Sequence, residues 1–313
     1  MGSQEKYLRP DVIQQVKRLD LRAKFIVEGF LVGLQKSPFH GFSAEFSEHQ
    51  KYEPGDDLAK LDWAVYARTD RYYIKKFEAE TNLTAYLVMD LSRSMDYPEI
   101  EAGDEGRLTK FDYCICLAAA LAYLMVNQQD AVGLAAIDTK IRASLKPKSR
   151  RTQLSAILGM LAGVQPTAET DLAAALHEVA GMVKHRSLVI LFSDLLPPEN
   201  GVLPVKDEVA KVVRGLHHLK HRGNDIIVFH VLDTSEVDFP FRGNTKFIGL
   251  ETDSSLPPTD AEGLRGTYLK AIEELREQYR RECQSAGIDF VPLDTGQPFD
   301  KALLSYLMER RGR

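Results

Sequence analysis

Two short runs, Ala85–Met89 and Leu188–Phe192, are continuously apolar. A run of that length with no polar face reads as a strand buried on both sides. Such strands belong to parallel sheets with helices on both faces. Ala131–Ile137 and Ile226–Leu232 read as further strands, and Asp138-Thr139-Lys140 turns the chain into Ile141–Leu145. Between them lie helical stretches at about Lys110–Asn127, Thr152–Ala162, Leu172–Val183 and Val205–Lys220, the last stopped by Gly223. Phe239–Leu250 is expected to form a hairpin around Arg242-Gly243-Asn244. It is followed by a helix Leu264–Ser285, a strand Phe290–Leu293 and a helix Lys301–Arg310. Alternation of this kind predicts an α/β fold: a doubly wound, mostly parallel, Rossmann-like sheet in three layers.

The sheet is expected over residues 83–313. Before it, Pro10-Asp11 opens a helical pattern in which Val12, Ile13, Val16, Leu19, Phe25, Ile26, Phe30 and Leu34 recur. This N-terminal helix occupies residues 1–40 and breaks at Ser37-Pro38; its apolar stripe is expected to pack on its own domain. Residues 41–82 form a polar, irregular extension expected to be β-rich, with a turn marked by Pro54-Gly55.

Composition excludes several function classes. The 313 residues carry a formal net charge of −5, with 44% hydrophobic and 27% charged side chains. A basic footprint for nucleic acid is absent. No stretch approaches the roughly 20 apolar residues of a membrane helix, and Met1–Tyr7 has no signal-peptide core. Three cysteines make no disulfide framework, so a cytoplasmic, reducing location is expected. Cys114 and Cys116 point to different sides of one apolar helix and read as buried structural thiols.

Several strands end in aspartate: Asp90, Asp138, Asp194, Asp233 and Asp294. Most should only cap helices or start turns. In an open α/β sheet, however, ligands bind beyond the carboxyl ends of strands where the strand order reverses. The two most apolar strands should be central neighbours, which brings Asp194 near Asp90. Asp138 sits in a tight turn and is set aside. Asp90-Leu91-Ser92-Arg93-Ser94 aims one carboxylate and two hydroxyls the same way. That is a hard-oxygen pocket, suited to magnesium or manganese. Thr170 enters the helix at Leu172 at the cap position, and simple capping is the bland reading of it.

Asp90, Ser92, Ser94, Thr170 and Asp194, in that chain order, resemble the metal-ion-dependent adhesion site of von Willebrand factor type A domains. The resemblance implies that Ser92, Ser94 and Thr170 donate hydroxyl oxygens to Mg2+ or Mn2+, and that Asp90 and Asp194 bind it directly or through water. All five positions match. A second resemblance lies upstream. Glu45-Phe46, Tyr52-x-Pro54-Gly55-Asp56-Asp57, Asp62-Trp63-x-x-x-Ala67-Arg68-Thr69 and Lys76-Phe77-Glu78-x-Glu80 resemble the domain of unknown function 58 family, which joins this motif to a type A domain. It is dense over residues 29–95 and holds at fold level beyond. Members of that family are associated with MoxR-type AAA ATPases. The resemblance therefore implies a metal-dependent adaptor or co-chaperone for such an ATPase, capturing an acidic side chain of a partner, and not an enzyme.

Two other readings stand beside it. One is a magnesium-dependent phosphohydrolase, since magnesium at strand ends also clamps phosphoryl charge. A second acid would be wanted two positions after Asp90, and Ser92 stands there. No phosphate-binding G-x-x-x-x-G-K-[ST] loop or G-x-S-x-G elbow occurs. The other is a scaffold with an unoccupied metal site. His217, His218 and His221 contain an i, i+4 pair without a third ligand, and read as residues favouring a helix C-terminus. Asp56, Asp57, Asp62, Trp63 and Arg68 read either as a recognition patch or, preferably, as a buried Arg–carboxylate clamp with Trp63 as packing anchor.

Overall fold

The computed structural model describes residues 44–51, 62–79, 83–99, 107–166, 170–197, 206–250, 257–299, 301–303 and 306. The expected N-terminal helix, the Pro54-Gly55 turn with Asp56 and Asp57, and the end of the last expected helix lie outside the described residues. Residues 34–82 and 83–313 fall in two separate compact units.

In the smaller unit, β1 (Ala44–Lys51) pairs antiparallel with β2 (Tyr73–Ala79), with a bulge between Phe46 and Glu48. The short helix α1 (Trp63–Thr69) precedes β2. Asp62 starts it: its Oδ1 accepts from the Val65 amide at 3.1 Å, while its own amide donates to the Tyr73 carbonyl at 2.8 Å. Trp63 is 64% exposed and does not serve as a buried anchor. Asp62 fixes where the helix begins, and the first helical position turns its indole outward. Trp63 meets Tyr66 edge-on at 6.2 Å, and Tyr66 stacks on Tyr72 at 4.5 Å.

The larger unit is the doubly wound α/β sheet that the apolar runs predicted. Its strands are β3 (Thr84–Asp90), β4 (Ala131–Ile137), β5 (Ile141–Lys148), β6 (Leu188–Ser193), β7 (Asp225–Leu232) and β10 (Asp289–Asp294). They lie in the order β10-β7-β6-β3-β4-β5, parallel except for the edge strand β5. The two most apolar strands are central neighbours, with Met89 level with Phe192. Helices α2 (Lys110–Asn127), α3 (Thr152–Gly163), α4 (Leu172–Met182), α5 (Lys206–His221) and α7 (Ala261–Ser285) cover the sheet.

Side chains alternate between the two faces. Val88, Val189, Leu191 and Val228 pack with Leu176, Val179, Leu216, Leu275 and Tyr279 of α4, α5 and α7. The alternate positions Leu87, Met89, Ile190, Phe192 and Phe229 are equally buried and face the other layer, which contains α2. By length and composition α2 would suffice to cross a membrane, yet most of it is buried in this core. Burial of about 25 cal/mol per Å2 of apolar surface is the main force holding both layers. Cys114, Cys116 and Cys283 are buried and form no disulfide.

The expected hairpin at Phe239–Leu250 does not form. The short strand β8 (Asn244–Thr245) pairs instead with β9 (Thr259–Asp260), at the start of α7. The reason is aromatic packing. Phe239 meets Phe241 and Phe247 of its own segment with ring centroids 5.1 and 5.8 Å away and Tyr268 of α7 at 4.7 Å, so the segment folds as an aromatic cluster set against α7 rather than as a hairpin. A five-residue helix, α6 (Thr234–Asp238), precedes it, closed by a capping box between Asp233 and Glu236.

Gly133 is required by a close approach. A Cβ there would lie 2.7 Å from the Leu145 carbonyl and 3.0 Å from the Pro147 ring of β5. Gly133→Ala is expected to cost about 1–3 kcal/mol through the forced shift of the edge strand. Gly163→Ala, with nothing within 4 Å, is expected to cost nothing. Urea unfolding of the two variants checks the contrast.

Candidate metal centre

The strand order reverses between β3 and β6, so their carboxyl ends flank the crevice in which doubly wound sheets bind ligands. Asp90 ends β3. The next amide, Leu91, donates to the Ile137 carbonyl at 2.8 Å and keeps the loop against β4. The Ser92 amide donates to Asp90 Oδ1 at 2.9 Å, a tight Asx-type turn that folds the loop back on the carboxylate. Ser94 Oγ donates to Ser92 Oγ at 3.1 Å. The spacing of Asp, Ser and Ser thus gathers three oxygens on one turn.

Asp90 and Ser92 are buried, at 3% and 5% exposure. The Asp90 carboxyl is pushed up to about 7, first by burial and then by the neighbouring Asp194, while hydrogen bonds from Ser193 and Ser92 oppose the rise. Among the described residues no cationic side chain pairs with it. A buried carboxylate that lacks a counter-charge is a place where a cation relieves strain.

Asp90, Ser92 and Thr170 line one cavity of about 240 Å3, with Asp171, Glu208 and Lys211 also in its wall. The Asp138 carbonyl holds the Thr170 loop by accepting from the Asp171 amide at 3.3 Å. Helix α4 is capped by Asp171, whose Oδ1 accepts from the Ala174 amide at 2.9 Å. Thr170 is therefore not the cap that its position suggested; the Asp171 carboxylate one residue later takes that role.

Asp194 follows β6 and is 1% exposed. Its Oδ1 accepts from the Leu196 amide at 3.1 Å, and its Oδ2 from Lys110 Nζ at 2.8 Å. Lys110 Nζ also donates to Glu236 Oε1 at 2.8 Å, and the lysine side chain is wholly buried. Burial disfavours its charge, but Asp194 and then Glu236 outweigh that and hold the ammonium above its ordinary range. Sequence reasoning missed Lys110. A signal exists: a lysine in the first turn of a mostly apolar helix, just after the Thr109 cap, stands where the helix dipole disfavours a cation. Ser193 was missed as well. Its Oγ donates to Asp90 Oδ2 at 2.6 Å and accepts from the Leu195 amide at 2.9 Å. Leu195 has φ +52°, and this left-handed turn returns the chain onto Ser193.

Among the described residues no three His, Cys, Asp or Glu side chains converge. The set at Asp90 is instead rich in hydroxyls, which suits a hard cation and not zinc. His218 pairs with His177 at 2.9 Å, and His217 lies 6.4 Å from His221, with no third ligand among the described residues. A larger cavity, about 450 Å3, opens at the ends of β7 and β10. Its acid, Asp233, already accepts from Arg107, Ser235 and Thr295.

An uncharacterised protein of Mycobacterium tuberculosis, Rv1480, is 25% identical over 313 residues, which cover 96% of this chain and 90% of the relative. An uncharacterised protein of Mycobacterium bovis, Mb1516, matches equally. Among solved structures, the conserved hypothetical protein BatB of Bacteroides thetaiotaomicron is similar at 13% identity and TM-score 0.44, covering 74% of this chain and all 100% of BatB. The SpRpn10 VWA domain is similar at 11% identity and TM-score 0.37, covering 72% of this chain and 95% of the domain. Both structural likenesses are remote. The family model described as "Protein of unknown function DUF58" matches residues 48–278, most of the chain, and the chain belongs to that family.

Proposed function

We propose that this protein is a metal-dependent protein-binding adaptor or co-chaperone, of the kind expected to work with a MoxR-type AAA ATPase in the cytoplasm. The observation that supports this reading most is that Asp90, Ser92 and Thr170 line one cavity, with Ser94 Oγ 3.1 Å from Ser92 Oγ. The donor set fits Mg2+ or Mn2+: one buried carboxylate without a cationic partner, together with neutral hydroxyls. Asp90, Ser92, Ser94 and Thr170 would hold the ion, with Asp194, held by Lys110, as a second carboxylate nearby that does not line the cavity. Once bound, it would offer a coordination position to a hard anionic oxygen, which an aspartate or glutamate of a partner supplies. Ser92 stands where a phosphohydrolase of this kind would want a second acid, which favours capture over phosphoester hydrolysis.

Affinity purification from a lysate in millimolar Mg2+, against the same purification in EDTA, tests the reading. An AAA ATPase or its client is expected in the magnesium eluate, and to be absent with EDTA or with Asp90→Ala. Retention that survives both would sink the proposal. Turnover of a phosphoester that disappears in Asp90→Ala would replace it with the hydrolase reading.

A further inference from the structure

Lys110 gives the site an electrostatic setting that its five oxygen donors alone do not predict. Its ammonium contacts Asp194 Oδ2 and Glu236 Oε1, each at 2.8 Å, without solvent access. Asp194 spends its other oxygen on the Leu196 amide and does not line the cavity that Asp90, Ser92 and Thr170 share. Tyr97 stands over the ammonium at 5.7 Å, and its hydroxyl bonds Ser235 at 2.7 Å, so helix α6 closes the far side of the lysine. Two carboxylates therefore sit at the switch point; Asp194 has an ammonium partner, whereas Asp90 accepts only from neutral donors, the Ser92 amide and Ser193 Oγ, among the described residues.

Resting on the cation-site reading above, we infer that Lys110 is a positioning residue that reserves Asp194 and leaves Asp90 the one carboxylate of the five-residue set turned to the cation, since Asp171 and Glu208 in the same wall are engaged by the Ala174 amide and by Lys211. The site is thereby one negative charge short. A hard cation held by one carboxylate and hydroxyls keeps most of its charge, and the missing anion is left for a partner to bring. Cation and acidic partner then bind with positive coupling, each raising the affinity of the other. Had Asp194 been free, two carboxylates would satisfy the ion and weaken its pull on a third.

Calorimetric titration of the full chain with Mg2+ alone and with Mn2+ alone tests this, with electron paramagnetic resonance of bound Mn2+ as a second readout. Asp90→Asn is expected to abolish measurable binding, whereas Asp194→Asn weakens it by no more than about tenfold. Lys110→Met, folded by circular dichroism, is expected to tighten cation binding about tenfold or more by releasing a nearby carboxylate. Lys110→Met with Asp194→Asn returns it toward wild type. Equal losses in Asp90→Asn and Asp194→Asn overturn the role of Lys110 even where Lys110→Met fails to fold. A folded Lys110→Met with unchanged or weaker affinity overturns it too. A wild-type chain that binds neither ion, or that binds as well after Asp90→Asn, removes the cation-site reading itself, so the two failures are distinct.

Discussion

Replacing Lys110 by methionine is expected to destabilise the α/β unit by about 3–5 kcal/mol, the largest loss from any single side chain at the site. Methionine fills the volume, so the loss is electrostatic. The lysine side chain is wholly buried, Asp194 is 1% exposed and the Glu236 side chain 13%. Removing the ammonium leaves two neighbouring acids out of water with only amide donors, Leu196 for one and Asp233 for the other. Burial already raises Glu236, with Lys110 pulling it back down. Without that counterweight Glu236 rises further and takes up a proton in the folded state. A raised carboxyl contributes stability at low pH and loses it as pH rises, so the deficit of Lys110→Met should be larger at pH 8 than at pH 5. Adding Asp194→Asn and Glu236→Gln should recover part of the loss, because neutral partners need no counter-ion. Urea unfolding at the two pH values, read as a double-mutant cycle, checks this. A deficit independent of pH, or one that Asp194→Asn does not reduce, would show that the triad is not held by charge.

What the sequence made legible follows from how far each feature depends on its neighbours in the chain. Strands β3 and β6 are buried on both faces, and such strands have only one way to read. Their adjacency followed from the same apolar character, and it placed Asp194 beside Asp90. Ser92 and Ser94 were legible because an extended turn repeats its direction every second residue. Lys110 was not, since its partner Asp194 lies 84 residues away and no local pattern pairs them. Ser193 and Asp90 are 103 residues apart, and their hydrogen bond appears only once β3 and β6 are in register. The Arg242-Gly243-Asn244 turn signal is real, with Gly243 at φ +64°, but a turn signal does not choose the partner strand. The cluster of Phe239, Phe241 and Phe247, set against Tyr268 of α7, chose it. Trp63 failed for a similar reason: a lone tryptophan suggests burial on average, whereas the starting point set by Asp62 decides where this one points.

Changing His230 to phenylalanine is expected to protect the fold against acid. His230 lies on β7, level with Ser193 on one side and Pro292 on the other, and stacks on Phe290 at 5.3 Å. It is 1% exposed, and neither ring nitrogen makes a well-formed hydrogen bond among the described residues. Burial, reinforced by Arg276 and opposed by Asp194, lowers it from 6.5 to about 3. The native state therefore holds the ring neutral, while the unfolded chain protonates it below pH 6.5. Stability from this group is complete above the unfolded value and is lost as pH falls toward 3, by at most about 5 kcal/mol. Asp90 and Asp130 act in the opposite direction over the same range. Both are raised to about 7, chiefly by burial, so each favours the folded state at low pH and loses that contribution as pH rises. The wild-type pH profile is thus a sum of opposed slopes and does not isolate the histidine. The difference between wild type and His230→Phe does, because the two aspartates are common to both chains. That difference should be flat above pH 7 and should grow in favour of the variant below pH 6. Guanidinium unfolding in metal-free buffer at several pH values measures it, and parallel curves for the two proteins would show that His230 is not held neutral in the native sheet.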